Sequence, residues 1–137
     1  MTREKAVKLT RLEFEVMDAL WELGSASVRE IMERLPATRP VAYTTVQTIV
    51  RRLEEKKAVR QSKKVGNAHV FEPVFSRQAA HRRLITDLLN VFGGSVRPLM
   101  AHLVEAGKLS LDDIRDLEAM LAESARQKQK KSGARKS

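Results

Sequence analysis

The chain has 137 residues, with 26 Lys and Arg against 17 Asp and Glu, a net charge of +9 and no cysteine. Without cysteine it can form neither disulfide bonds nor thiolate metal sites or nucleophiles. It also lacks the run of about 18 apolar residues that a membrane span needs, and its first residues, MTREKAVKLT, lack the apolar segment of a signal peptide. We therefore expect a cytoplasmic protein.

The positive charge is distributed unevenly along the chain. Residues 1–75 carry a net +4, residues 76–124 a net −1 and residues 125–137 a net +6. The middle segment is therefore expected to pack rather than to bind a polyanion. The last segment, ARQKQKKSGARKS, is polar and basic without periodicity, so the sequence predicts a disordered tail.

The first two predicted helices each begin with a capping box, in which a hydroxyl and a carboxylate three residues apart bond free backbone N–H groups. Thr10 and Glu13 begin the first helix, which Gly24 ends, and Ser27 and Glu30 begin the second. Apolar residues at helical spacing follow each box.

A third helix is predicted from Tyr43 to Lys56 and carries two contrasting faces. Thr44, Thr48 and Arg51 lie opposite an apolar stripe at the i, i+3, i+4, i+7 spacing. Short polar side chains and Arg allow a helix to lie deep in the DNA major groove. An ordinary amphipathic surface helix fits these residues equally well, so the segment that follows decides between the two. The apolar stripe consists of Val46, Ile49, Val50 and Leu53.

That segment is typical of the wing of a winged helix-turn-helix. Two short extended runs, Val59–Lys64 and Ala68–Pro73, flank Gly66 and Asn67, residues that favour the positive φ of a hairpin turn. Residues 39–64 hold eight basic and two acidic side chains. Phosphate contact explains this concentration of charge.

The candidate recognition helix and wing supply the expected DNA contacts. We expect Arg51 and Thr48 to contact base edges, whereas Tyr43 either reaches a phosphate or braces the turn before the helix. The other residues expected at the DNA are Arg39, Thr44, Thr45, Arg52, Arg60, Lys63 and Lys64.

From Ser76 onward the pattern is helical without strands. Gly93-Gly94 and Gly107 separate three amphipathic helices, with Ser95 and Ser110 placed to cap the second and third. Such short helices expose more apolar surface than they can bury against each other, so a second copy of the chain is the expected partner. The residues expected at the dimer interface are Leu84, Leu88, Phe92, Leu99, Leu103, Ile114, Leu117 and Leu121.

The predicted fold is therefore mainly α with a small β-hairpin. A winged helix-turn-helix domain (1–75) precedes a three-helix dimerisation arm (76–124) and the basic tail (125–137). The histidines, His69, His81 and His102, lack metal-ligand spacing, and no phosphate loop or nucleophile motif occurs. We expect no cofactor, metal, small-molecule ligand or enzymatic activity.

From about Leu9 to Leu121 the sequence resembles the BlaI/MecI-type repressors, the winged-helix family that controls penicillinase and methicillin-resistance genes. The resemblance rests on LTRLEFEVMDALWELG, AYTTVQTIVRRLEEK and HLVEAGKLSLDDI, in this order and spacing. It implies an N-terminal part that binds an operator and C-terminal helices that dimerise.

The sequence departs from that family at two informative positions. A glycine commonly follows the recognition helix, but this chain has Ala58, so either a left-handed cap there is strained or the helix ends differently. A membrane sensor protease cleaves the best-known members at an Asn-Phe bond in the arm. The matching candidate site here is His102-Leu103.

Two functions fit the sequence. The first is a dimeric, site-specific repressor that binds an inverted-repeat operator and, by resemblance, controls beta-lactam resistance genes. The alternative is a nucleoid-associated architectural protein of low sequence specificity, which the lysine-rich tail and high pI would suit. The groove-reading side chains of the third helix favour the repressor, because a coating protein does not need them.

Overall fold

A computed structural model describes residues 6–38 and 40–136, with side chains described through residue 132. Over these residues the fold is mainly α-helical with a basic hairpin, which confirms the predicted fold class. The short strand β1 was not predicted, because two residues carry no periodicity. The elements are α1 (Arg11–Leu23), β1 (Ala26–Ser27), α2 (Val28–Arg34), α3 (Tyr43–Glu55), β2 (Val59–Val65), β3 (Ala68–Pro73), α4 (Arg77–Val91), α5 (Val96–Glu105) and α6 (Leu111–Lys136).

Both predicted capping boxes form at the starts of α1 and α2. The backbone N–H of Thr10 donates to the Glu13 carboxylate at 2.8 Å, and the N–H of Glu13 donates to the Thr10 hydroxyl at 3.2 Å. Ser27 and Glu30 repeat the arrangement at 3.0 and 3.3 Å. The N–H of Ser27 favours the charged carboxylate and lowers the pKa of Glu30.

The apolar stripe of α3 lies in the centre of one hydrophobic core. Val46 and Leu53 are fully buried, as are Leu20 of α1 and Ile31 of α2. Burying a Leu or Ile side chain stabilises a fold by about 1.5 to 3 kcal/mol, so this stripe fixes the rotation of α3 about its axis. The opposite, polar face of α3 is thereby held toward solvent.

A partly buried ion pair, between the buried Glu13 and the exposed Lys56, joins the start of α1 to the end of α3. The Lys56 ammonium donates to the Glu13 carboxylate at 2.7 Å and to the Lys8 carbonyl at 3.2 Å. Burial raises the pKa of Glu13, but the hydrogen bonds from Lys56 and Thr10 outweigh it, and the pKa lies below its ordinary value. Lys56 is thus committed to the fold.

The C-terminus of α3 shows which residue takes the left-handed position after the helix. Lys57, with φ of 64°, holds the left-handed position that follows the helix, one residue before Ala58. The Lys57 N–H donates to the Glu54 carbonyl at 3.0 Å and the Ala58 N–H to the Leu53 carbonyl at 2.8 Å, the two bonds of a Schellman motif. Ala58 is fully buried and carries no left-handed strain.

The three strands form an antiparallel sheet in the order β1-β3-β2. β1 adds a short edge to the hairpin by pairing Ala26 with Phe71. Gly66 begins the hairpin turn with φ of 60°, as a two-residue turn requires at its first position. The sheet therefore attaches the hairpin to the segment before α2.

The chain divides into two compact units, one through Leu88 and one from Leu89 onward. The division lies inside α4 rather than at residue 75, and Ala80 near the start of α4 is buried. In the second unit Ser110 and Asp113 form a capping box at 2.9 and 3.1 Å, whose bonds lower the pKa of Asp113. Ser95 stands at the N-cap of α5 but makes no capping bond through its side chain.

The prediction of a disordered tail is wrong over most of its length, because α6 continues to Lys136. Residues 124–132 contain no Gly or Pro and are rich in Lys, Arg, Gln and Ala, which have high helix propensity. Glu123 pairs with Arg126 at 2.7 Å and bonds Gln127 at 3.3 Å across one turn. Propensity extends the helix here without any apolar stripe.

Candidate nucleic-acid interface

The polar face of α3 presents residues that the sequence predicted at the DNA. Thr44, Thr45, Thr48, Arg51 and Arg52 are all exposed. The Thr48 hydroxyl donates to the Thr44 carbonyl at 3.0 Å, which occupies its proton within the helix. Thr48 therefore has its methyl group and its oxygen lone pairs, but not its hydroxyl proton, free for an external contact.

A concave cleft of about 720 Å³ lies between α3, the start of α2 and the hairpin. Arg51 lines this cleft from α3, and the hairpin residues come from both strands and the turn. Arg51 and the wing, Val59–Pro73, thus border one continuous surface. The polar side chains that line it include Arg29, Tyr43, Gln47, Arg51, Asn67 and His69.

Two lining residues were missed by the sequence analysis. Gln47 lies one helical turn before Arg51 and is exposed, and a Gln side chain can make paired hydrogen bonds to adenine in the major groove. Its position on the helix could have identified it. Arg29 had no local signal, because only the packing of α2 brings it to the cleft.

Tyr43 lies at the start of α3 and contacts α2. The Arg29 guanidinium lies 5.6 Å from the centroid of the Tyr43 ring, within the range of a cation–π interaction. This contact links Arg29 of α2 to the start of α3, and a role for Tyr43 in bracing the turn stays a prediction. The ring is partly exposed, and a phosphate contact through its hydroxyl stays a prediction.

The wing carries its cations on β2. Lys63 and Lys64 are exposed and follow an irregularity in the strand pairing between Gln61 and Lys63. Beside this irregularity the Ser62 hydroxyl donates to the Val70 carbonyl at 3.2 Å. An irregularity of this kind bends and twists a strand, so it redirects the lysines that follow it.

The basic side chains of residues 51–64 divide into two groups. Lys56 and Arg60 are engaged within the fold, Lys56 with Glu13 and Arg60 with Glu72 across the hairpin at 2.7 Å. Within residues 6–38 and 40–136, the other basic side chains between Arg51 and Lys64 form no ion pair. These unpaired cations are Arg51, Arg52, Lys57, Lys63 and Lys64.

Arg39, predicted at the DNA, lies outside the described residues.

The remaining predicted site residues belong to the arm. Their exposed fractions reach 72% for Leu121, and Leu84, Leu88, Ile114 and Leu117 are also exposed. Phe92, Leu99 and Leu103 are half-buried. His102 of the candidate cleavage pair is exposed, and its ring lies 5.8 Å from that of Phe92.

No described helix is long and apolar enough to cross a membrane. Over the same residues, no cluster of three or more His, Cys, Asp or Glu side chains is arranged to hold a metal ion.

A recognition helix with an exposed basic face, followed by a basic wing, defines a winged-helix DNA-binding transcription regulator. The chain belongs to the penicillinase repressor family, whose sequence model matches residues 9–123. This family consists of transcriptional repressors rather than enzymes.

Two relatives agree with this assignment by sequence. The chain is 36% identical over 122 residues to the transcriptional regulator BlaI of Mycobacterium tuberculosis, covering 87% of this chain and 86% of that one. It is 26% identical over 126 residues to the penicillinase repressor of Bacillus licheniformis, covering 91% and 98%. A solution structure of monomeric Bacillus licheniformis BlaI with the blaP half-operator is similar at a TM-score of 0.46, with 28% identity over 55% of this chain and 90% of that one.

Proposed function

We propose that this chain is a dimeric, site-specific repressor that binds an inverted-repeat operator. Helix α3 enters the major groove and the wing contacts the flanking backbone. The observation that carries this proposal is the unpaired Arg51 on the exposed face of α3, which borders the same cleft as the wing. Because the buried stripe fixes the rotation of α3, this guanidinium is positioned before DNA arrives.

Each side chain of the interface contacts either a base or a phosphate. Arg51 pairs with a guanine, Gln47 with an adenine, and Thr48 contacts a thymine methyl group. The phosphate contacts come from Tyr43, Thr44, Thr45, Arg52, Lys63 and Lys64, with Arg39 as a sequence-based candidate. Arg60 joins them only by releasing Glu72, since the two side chains are 2.7 Å apart.

Dimerisation follows from the exposed apolar residues of the arm. Leu84, Leu88, Ile114, Leu117 and Leu121 are large apolar side chains left in solvent by a single chain. A second copy that covers them also brings two recognition helices onto one operator, with half-sites about one helical turn, or a multiple of it, apart. The second contact then becomes intramolecular.

The names of the relatives point to the target genes. Penicillinase repressors and methicillin resistance regulatory proteins are among them. We therefore propose operators of beta-lactam resistance genes as the targets and the cytoplasm as the site of action, without enzymatic activity or a small-molecule ligand.

A membrane sensor protease is the inducing partner that the family resemblance implies. The candidate bond, His102-Leu103, lies inside α5. A protease must hold its substrate extended, so the helix would have to unwind before cleavage. This cost and the loss of the family's Asn-Phe pair argue for induction by another route.

The test compares Arg51→Ala with Lys63→Ala on an operator found by genome-wide mapping of bound DNA. We expect Arg51→Ala to weaken operator binding by about 1 to 3 kcal/mol and to remove the preference at one base pair per half-site. Lys63→Ala should weaken operator and mixed-sequence DNA equally. Equal losses on both duplexes for Arg51→Ala would contradict its role in base recognition.

The same titrations distinguish the repressor from a nucleoid-coating protein. A site-specific repressor binds its operator about 10³-fold or more tightly than mixed-sequence DNA. An intact chain with little preference for any mapped site would favour the coating function.

A further inference from the structure

The C-terminal part of α6 has a charge composition unlike the rest of the arm. We call residues 125–136 the basic extension. It carries six Lys and Arg and no acidic residue, whereas residues 111–123 of the same helix carry five acidic residues and one basic residue. The basic extension also lies beyond residues 9–123, the part matched by the family model. Its role is therefore not supplied by the family.

The helical conformation places the described cations, from Arg126 to Lys131, close together. At a rise of about 1.5 Å per residue, Arg126 and Lys131 are about 7.5 Å apart along the helix axis. Duplex DNA presents one phosphate charge per about 1.7 Å of its own axis. A preformed helix also loses less conformational entropy on binding than a disordered tail.

Three of these cations have no internal role. Arg126 pairs with Glu123 at 2.7 Å. Lys128, Lys130 and Lys131 are exposed and form no ion pair with any described residue. Cations in the last turn of a helix stabilise it through the macrodipole, but this effect fades within one turn, and these lysines lie before that turn.

The composition also excludes binding through an apolar face. The only apolar residues in the basic extension are Ala125 and Ala134. An interfacial membrane helix needs a broad apolar face, and so does a helix that docks into a protein groove. The basic extension can therefore contact a partner only through its charged and polar side chains.

We propose that the basic extension binds the phosphate backbone of duplex DNA without regard to sequence. This inference rests on the proposed DNA-binding function. The winged helix supplies sequence recognition, and the extension adds affinity and salt dependence that the part shared with the family does not provide.

The test uses the full chain and a mixed-sequence duplex, so that no operator needs to be known. The variant K128Q/K130Q/K131Q removes three charges from the extension, and Gln preserves the helix propensity. The matched control, R97Q/K108Q/R115Q, removes three charges from other parts of the arm. Affinity is measured over a series of salt concentrations, with circular dichroism and sedimentation to verify that the helix and the oligomeric state are unchanged.

Each phosphate contact contributes about 0.9 to the slope of log affinity against log salt. We expect the extension variant to reduce this slope by about 2 to 3 for each chain that contacts the duplex, with a tenfold or greater loss of affinity at physiological salt, on the order of three lost contacts per chain. The control should reduce the slope by less than about 1. Equal reductions in both variants would overturn the proposal, because the extension would then act only through net charge.

Two further outcomes separate this inference from the proposed function. If the extension variant keeps the wild-type slope while the intact chain still prefers its operator, the extension proposal fails and the repressor stands. If the slope falls as expected but no operator is preferred, the repressor fails and the extension stands. Binding of the intact chain to phosphatidylserine vesicles, lost in the variant while its DNA slope is unchanged, would overturn the proposal in favour of a membrane surface.

Discussion

The two compact units of this chain are built from the same kind of helix but differ in what they bury. In the first unit Leu20, Ile31, Val46 and Leu53 are inaccessible to solvent. In the second unit none of residues 89–132 is buried, although its helices also carry apolar residues at helical spacing. An amphipathic pattern thus reveals that a helix needs a partner, but not whether the same chain supplies it.

A charged substitution in the arm should have the most severe consequences for assembly and DNA binding. Leu117→Asp places a carboxylate on the apolar face of α6, and a dimer interface would bury this charge at a cost of about 3 to 5 kcal/mol. We expect the variant to be monomeric and to lose about 10²-fold or more in operator affinity at physiological salt. Sedimentation and DNA titration measure the two effects.

Ala119→Asp is the matched control for that variant. Ala119 is exposed and lies two residues further along α6, on the side opposite to Ile114, Leu117 and Leu121. It should remain dimeric and bind the operator normally. Monomers from both variants would mean that any added charge disrupts the arm, and dimers from both would remove Leu117 from the interface.

A smaller effect is expected on the stability of the first unit when its core is truncated. Leu20→Ala creates a cavity in a core that the unit closes by itself, so we expect a loss of about 2 to 5 kcal/mol in the free energy of unfolding. Urea denaturation of this unit should give the same loss at all protein concentrations, because no second chain covers Leu20. Leu121→Ala should instead act on dimerisation and depend on protein concentration. A concentration-dependent loss for Leu20→Ala would show that the two units do not differ as described.

The smallest effect concerns the end of α3. Lys57→Gly should stabilise the first unit by about 0.5 to 1 kcal/mol, because glycine adopts the left-handed conformation without a Cβ clash. Ala58→Gly is the control and should destabilise, since it removes a buried methyl group at an ordinary φ. Thermal unfolding of both variants gives the comparison, and the reverse order of stabilities would mean that Ala58, not Lys57, holds the left-handed position.

The elements that could be predicted from the sequence are those with local causes. Capping boxes, helical stripes and the glycine of the hairpin turn each act within a few residues, and the helices and the wing formed where these signals lie. The exposed face of α3 could also be predicted from the sequence, because the buried stripe that contains Val46 and Leu53 fixes the rotation of the helix.

The features that escaped prediction depend on distant contacts or on propensity without periodicity. β1 exists because β3 pairs with it, and Arg29 reaches the cleft because α2 packs beside α3. Sequence alone could not assign Arg60 and Lys56 to ion pairs, because their partners are 12 and 43 residues away. The basic extension was expected to be disordered because it has no apolar stripe, yet an exposed helix needs none when its residues favour the conformation.

We propose that the arm of a single chain is incomplete and that a second copy completes it. Sedimentation equilibrium of the intact chain at micromolar concentration measures this assembly. We expect a mass twice the 15.5 kDa of one chain, with the dimer restored on concentrating a diluted sample. A single-chain mass throughout the micromolar range would contradict the account.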